Sequence, residues 1–111
     1  MPTAVFVGEG GAIDYTPGSA VAAGDVVVQG DLVGVAKVPI AANALGALAV
    51  VGVFDVPKAT GGGSAIAVGT TVYWDTVNKV ATATAGALKV MGKTVKAAAD
   101  ADATVRVRLF Q

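Results

Sequence analysis

Residues Leu45 to Asp75 read LGALAVVGVFDVPKATGGGSAIAVGTTVYWD: an apolar strand, a proline, a glycine-rich loop, a short apolar turn, and a strand ending in Tyr-Trp-Asp. In an extended strand successive side chains point to opposite faces. From Gly46 to Val56 this puts Leu48, Val50, Phe54 and Val56 on one side, with Leu45, Ala47, Ala49, Val51 and Val53 on the other. Both faces are apolar. A chain of 111 residues buries roughly two-thirds of the surface it exposes when unfolded, which is little mass to cover a strand on both sides. One face meets the core. The other predicts a second subunit.

Composition points the same way. The apolar fraction is 54% and the charged fraction 14%, where soluble domains average about 45–50% and about 25%. Most apolar residues are Ala and Val, which bury little area each, so a modest core and a large apolar surface are expected. Net charge is zero and no block of like charge occurs, so nothing marks a nucleic-acid or anionic-lipid partner. Cysteine and histidine are absent, removing disulfides, thiol chemistry, and the commonest general base and metal ligand. Val38 to Phe54 carries no charge but is shorter than the roughly 20 residues of a spanning helix and contains Pro39, Gly46 and Gly52. The opening MPTAVFVGEGG has no basic region and hardly any apolar run, so no secretory signal is read there. The expectation is a soluble protein made in the cytoplasm, with no membrane partner.

Residues 1–11 read as a flexible arm: apolar Ala4 to Val7, then Gly8-Glu9-Gly10-Gly11. Such an arm suits a segment that orders by adding to a partner's strand. Residues 12–111 are expected to form a single β-barrel domain. Ile13-Asp14-Tyr15 is a short strand closed by the turn Thr16 to Ser19. Val26 to Gln29 and Leu32 to Ala36, separated by Gly30-Asp31, form a hairpin. The strand from Gly46 is expected to stop at Pro57, which cannot donate to a ladder. Ala65 to Gly69 predicts one helical turn, and Ala41 to Ala44 a helical turn or a loop. Thr71 to Asp75 turns through Thr76-Val77-Asn78 into Lys79 to Thr82. Leu88 to Lys96 is a strand with Lys89 and Lys93 on the wet face, opposite Leu88 and Val90. Thr104 to Phe110 alternates Val105, Val107 and Leu109 inward with Arg106 and Arg108 outward. The fold class is therefore all-β: a small β-barrel or sandwich of about eight short strands with minor helical turns.

No chemical motif survives inspection. Gly92-Lys93-Thr94 ends like a phosphate-binding loop, but the pattern needs glycine where Ala87 stands. Gly8-Glu9-Gly10-Gly11 lacks the third glycine of a dinucleotide fingerprint, and Asp100-Ala101-Asp102 lacks the further ligands of a calcium loop. Asp14, Asp25, Asp31, Asp55 and Asp75 are read as strand-end carboxylates that cap turns and blunt edges. No catalytic, metal or cofactor-binding residue is assigned, and no cofactor is expected. The candidates are interface residues, toward a second subunit or another partner: Ala4, Val5, Phe6, Val51, Val53, Phe54, Tyr73 and Trp74. Trp74, which shares a face with Val72, reads first as a core anchor, with Tyr73 pointing the other way.

Several segments together resemble a known family. They are Gly24-Asp25-Val26-Val27 with Asp31-Leu32-Val33-Gly34-Val35-Ala36, Gly46-Ala47-Leu48-Ala49-Val50 with Gly52-Val53-Phe54-Asp55-Val56-Pro57-Lys58-Ala59, Gly69 with Val72-Tyr73-Trp74-Asp75, and Thr104-Val105-Arg106-Val107-Arg108-Leu109. In this order and spacing the chain resembles the tailed-phage proteins of the DUF2190 family, read as capsid cement or decoration proteins. The resemblance implies a β-rich homotrimer on the outside of the mature head, bound to the major capsid protein and locking neighbouring capsomers. It carries no catalytic residue over. Gly61-Gly62-Gly63 departs from the pattern as a local expansion. A nucleotide-binding recombinase accessory is one alternative, since some members carry such a label; a generic β-barrel interaction module is the other.

Overall fold

The computed structural model describes residues 3–5, 7 and 10–109. They contain nine strands and no helix: β1 (Ala12–Tyr15), β2 (Val26–Gln29), β3 (Leu32–Val35), β4 (Gly46–Ala49), β5 (Gly52–Pro57), β6 (Thr71–Asp75), β7 (Val80–Thr82), β8 (Lys89–Thr94) and β9 (Thr104–Leu109). They make two antiparallel sheets, ordered β1-β4-β3-β2 and β5-β9-β8-β6-β7. Neither sheet closes into a barrel. Phe110, at the end of the last predicted strand, lies outside the described residues.

The two sheets share one core. Val33 and Val35 of β3 pack with Val72, Trp74, Met91, Val105, Val107 and Leu109 of the larger sheet, and Val26 and Val28 of β2 flank them. The other face of the small sheet has a second cluster, Ala36, Ile40 and Leu48, with Ile13, Tyr15, Val21 and Val27 against it. A bridge between Val21 and Ile40 holds the loops that cover this face. β9 lies inside the larger sheet, and its burial alternates as its sequence does. The β2–β3 hairpin turns on Gly30-Asp31 with Gln29 opposite Leu32. Its positive φ, 61°, falls on Gly30 alone, the pattern of a type II′ turn.

The predicted strand Gly46 to Val56 is two strands in two sheets. The chain turns at Val50-Val51-Gly52, where Gly52 adopts φ 128°, a conformation open to glycine. Pro57 does not end β5 but belongs to it, opposite Thr104. Lys58 N–H bonds the Ala103 carbonyl across the ladder. Because hydrogen-bonded pairs alternate along an antiparallel ladder, position 57 points its missing donor away from β9, toward the side on which Lys58 bridges Ala81 of β7.

Two further expectations are corrected. Ala65 to Gly69 forms no helical turn; Ile66 instead bridges Ala98, and the buried Thr94 hydroxyl donates to the Ala67 carbonyl at 2.7 Å. In β8, Val72 faces Gly92 but Tyr73 faces Val90, so Met91 is an extra residue and the strand bulges. The slip reverses the expected alternation: Met91 is buried, Val90 is exposed, and Lys89 turns to an ion pair with Asp31 at 2.6 Å.

Candidate functional site

The larger sheet decides how its residues face. Trp74 points into the shared core and is 4% exposed, whereas its neighbour Tyr73 lies on the opposite, outer face and is half-buried. In β5, Phe54 and Val56 face inward and Val53 faces out, 56% exposed. Val51, at the corner between the sheets, is 54% exposed. Ala4 and Val5 are exposed, and Phe6 lies outside the described residues. Of the eight candidates, the fold thus leaves Val51 and Val53 exposed on either side of the turn at Gly52, packs the half-buried Phe54 against the core, sets Tyr73 on the outer face, and withdraws Trp74 into the core.

Sequence reading missed a neighbour of that corner. Gly11, Ala12, Lys37, Val38, Ala47, Ala49 and Val51 line a groove of about 450 Å³ beside β4. β3 and β4 pair only at Val35 and Ala49, which leaves the lower part of β4 without a close strand on that side. The charge-free run from Val38 to Phe54 was the available signal. Leu45, in the register expected to lack cover, is also exposed.

The total accessible surface is 6675 Å². A compact monomer of this size exposes about 5,500 Å². The surplus, roughly 1,100 Å², includes the N-terminal segment, where Val5 and Val7 are 77% and 95% exposed.

The charged groups act locally. Arg106 grips Asp55 across β5 and β9 with two bonds, Nε to Oδ1 at 2.9 Å and an outer guanidinium nitrogen to Oδ2 at 3.1 Å. Asp55 is therefore a mid-strand partner, not a strand-end cap. The guanidinium hydrogen bond holds its carboxyl below the ordinary range and pushes Arg106 up. The Lys89 ammonium lowers Asp31 in the same way. Asp75 caps the β6–β7 turn: Oδ1 accepts from Val77 N–H at 2.9 Å and Asn78 N–H at 3.1 Å, and Oδ2 accepts from the Asn78 amide at 2.8 Å. Asp100 and Asp102 cap the backbone amides of Ala65 and Ala99. Lys58 is buried and donates to the carbonyls of Ala59 at 2.7 Å and Asp102 at 2.9 Å, tying the glycine-rich loop to the 97–103 connection.

Gly92-Lys93-Thr94 is strand, and the Thr94 hydroxyl is engaged with the backbone at residues 67 and 70. A Cβ on Gly92 would run into the Arg108 carbonyl, so this glycine serves close strand approach rather than a phosphate loop. Among the described residues no group of three or more His, Cys, Asp or Glu could hold a metal ion, and no helix is long and apolar enough to cross a membrane.

No curated protein and no solved structure shows significant similarity to the chain. A family model described as phage cement protein matches residues 7–109, nearly the whole length. That match spans both sheets, the corner at Val51 and the open flank of β5. The chain belongs to the phage cement protein family.

Proposed function

We propose that the protein is a non-enzymatic cement. In this reading it binds the outer surface of a mature phage head as a homotrimer and clamps neighbouring capsomers. Family membership over residues 7–109 is the observation that carries this, since it points to association with the phage capsid and to a structural role. In this reading residues 1–11 are an arm and residues 12–111 a single domain, and the exposed side chains of Val51 and Val53 offer apolar contact. Expanded shells resist the pressure of packaged DNA, and many identical clamps each add free energy to the contacts between capsomers. An interface of about 1,600 Å² is enough for specific docking. The surface has no net charge with which to trap DNA, and the protein is made in the host cytoplasm, where heads assemble.

The test is the composition of the particle. Mass spectrometry of purified virions is expected to find this chain, and proteolysis of intact particles to remove it before the major capsid protein. Its absence from virions whose host produces it would overturn the proposal.

A further inference from the structure

The small sheet is wider than the layer that covers it. Its register sets Val35 beside Ala49, Ala49 beside Ala12, and Ala47 beside Asp14, so these side chains share one face. Over β3 and β2 that face is closed. Val33 and Val35 are buried in one cluster with Val72, Met91 and Val107 of the larger sheet, and Val26 and Val28 flank them. Over β4 and β1 it is bare. Ala49 is the last buried residue there, and Ala12, Asp14 and Ala47 are exposed. Leu45, which continues the alternation just before β4, is 71% exposed. The opposite face of the same two strands is covered, since Leu48, Ile13 and Tyr15 lie in the second cluster. Half of one sheet face therefore lacks the second layer that the other half has.

The bare half has a relief of its own. Ala47 and Ala49 line the groove of about 450 Å³ beside β4, where small side chains leave room for a side chain from outside. Val38 and Val51 line the same groove and are 62% and 54% exposed, so knobs and hole belong to one patch. Charge is arranged likewise. Lys37, two residues beyond β3, lines the groove, and Asp14 stands on β1, across β4 from it. Both are exposed, and among the described residues neither takes part in an ion pair. A cation on one flank and an anion on the other make a surface that a copy of itself complements. A partner of one sign of charge would match one flank and oppose the other.

We propose that the bare half of this face, over β4 and β1, is covered by the same face of a second copy of this chain. The Lys37 flank of one copy meets the Asp14 flank of the next, and the exposed valines of one enter the alanine groove of the other. The inference rests on the self-association in the cement reading and assigns it a surface. Repeated head to tail about a closed axis, the contact satisfies both flanks of every copy.

The test is association of the purified full chain with no shell present, read by light scattering and sedimentation. The wild type is expected to form a closed oligomer. Ala47→Arg, which sets a charged chain in the groove, is expected to be a monomer with a native far-UV spectrum, whereas Val68→Arg, at an exposed valine elsewhere, still associates. Lys37→Asp and Asp14→Lys each set like charges on facing flanks and should weaken association at least about tenfold. The double variant exchanges the two signs and should recover most of that loss. Only a contact between copies is repaired by a swap made within one chain; a contact with another protein would be worsened twice. A monomeric wild type, an oligomer indifferent to Ala47→Arg, or a double variant as weak as the single ones would overturn the proposal. So would loss of shell binding by Ala47→Arg with the oligomer intact, which would give this face to the shell. Association is read without the shell, so this face can fail while the cement role stands, and virions lacking the chain would leave the oligomer standing.

Discussion

Trp74 carries the largest side chain of the shared core, so Trp74→Ala is expected to cost about 3–5 kcal/mol in denaturant unfolding. An unchanged unfolding midpoint would show that Trp74 is not an anchor. Lys58 makes a different kind of contribution. Its ammonium is buried against backbone carbonyls, and Lys58→Met leaves those acceptors without a donor. A loss of about 1–3 kcal/mol is expected, with proteolysis appearing first in the 60–64 loop. Wild-type stability and protease resistance in that variant would remove the latch. Nothing in the sequence marked Lys58 for burial, because the Asp102 carbonyl that joins Ala59 in holding it lies 44 residues away. The opposite orientations of Tyr73 and Trp74 were legible, since strand alternation is a local property.

The elements show where local reading ends. β9 and the β2–β3 hairpin were legible because alternation and a Gly-Asp turn lie within a few residues. The split of Gly46 to Val56 was not, because a positive φ at Gly52 reflects the need to cross between sheets, and the glycine alone is equally at home in a strand. The bulge at Met91 was hidden for the same reason: register is a property of two strands. Val51 and Val53 are exposed, but the register expected to lack cover does not hold together, since Ala49 is buried and Gly52 carries Val53 into the other sheet, and the adjoining groove depends on how little β3 and β4 pair. The β6–β7 turn carries a pH prediction. Hydrogen bonds from the Asn78 backbone, the Asn78 side chain and the Val77 backbone lower the Asp75 carboxyl. A lowered carboxylate contributes its stability above the ordinary aspartate value of about 3.9, and loses it as pH falls through the lower folded value. Thermal unfolding of Asp75→Asn should therefore fall less steeply than wild type below about pH 4. Parallel curves would contradict the cap.

At the scale of the whole molecule, family membership accounts for features that an isolated domain leaves unexplained: apolar side chains exposed at Val51 and Val53, and no net charge. A cement need not be very stable alone, because each copy is stabilised further by whatever it binds in the native state. Binding to the shell should accordingly raise the unfolding temperature of both partners. A charge introduced at an exposed apolar position, Val53→Asp, is expected to weaken assembly while sparing the fold, since Val53 lies on the outer face of an edge strand. Unimpaired assembly in that variant would move the contact elsewhere. The central claim, that this chain holds a phage shell together, is tested most directly by calorimetry of expanded, undecorated heads titrated with the purified protein. The account predicts saturable binding and a rise in the temperature at which the shell disrupts, following the fraction of sites filled. Saturable binding with no change in that temperature, or no binding at all, would contradict it.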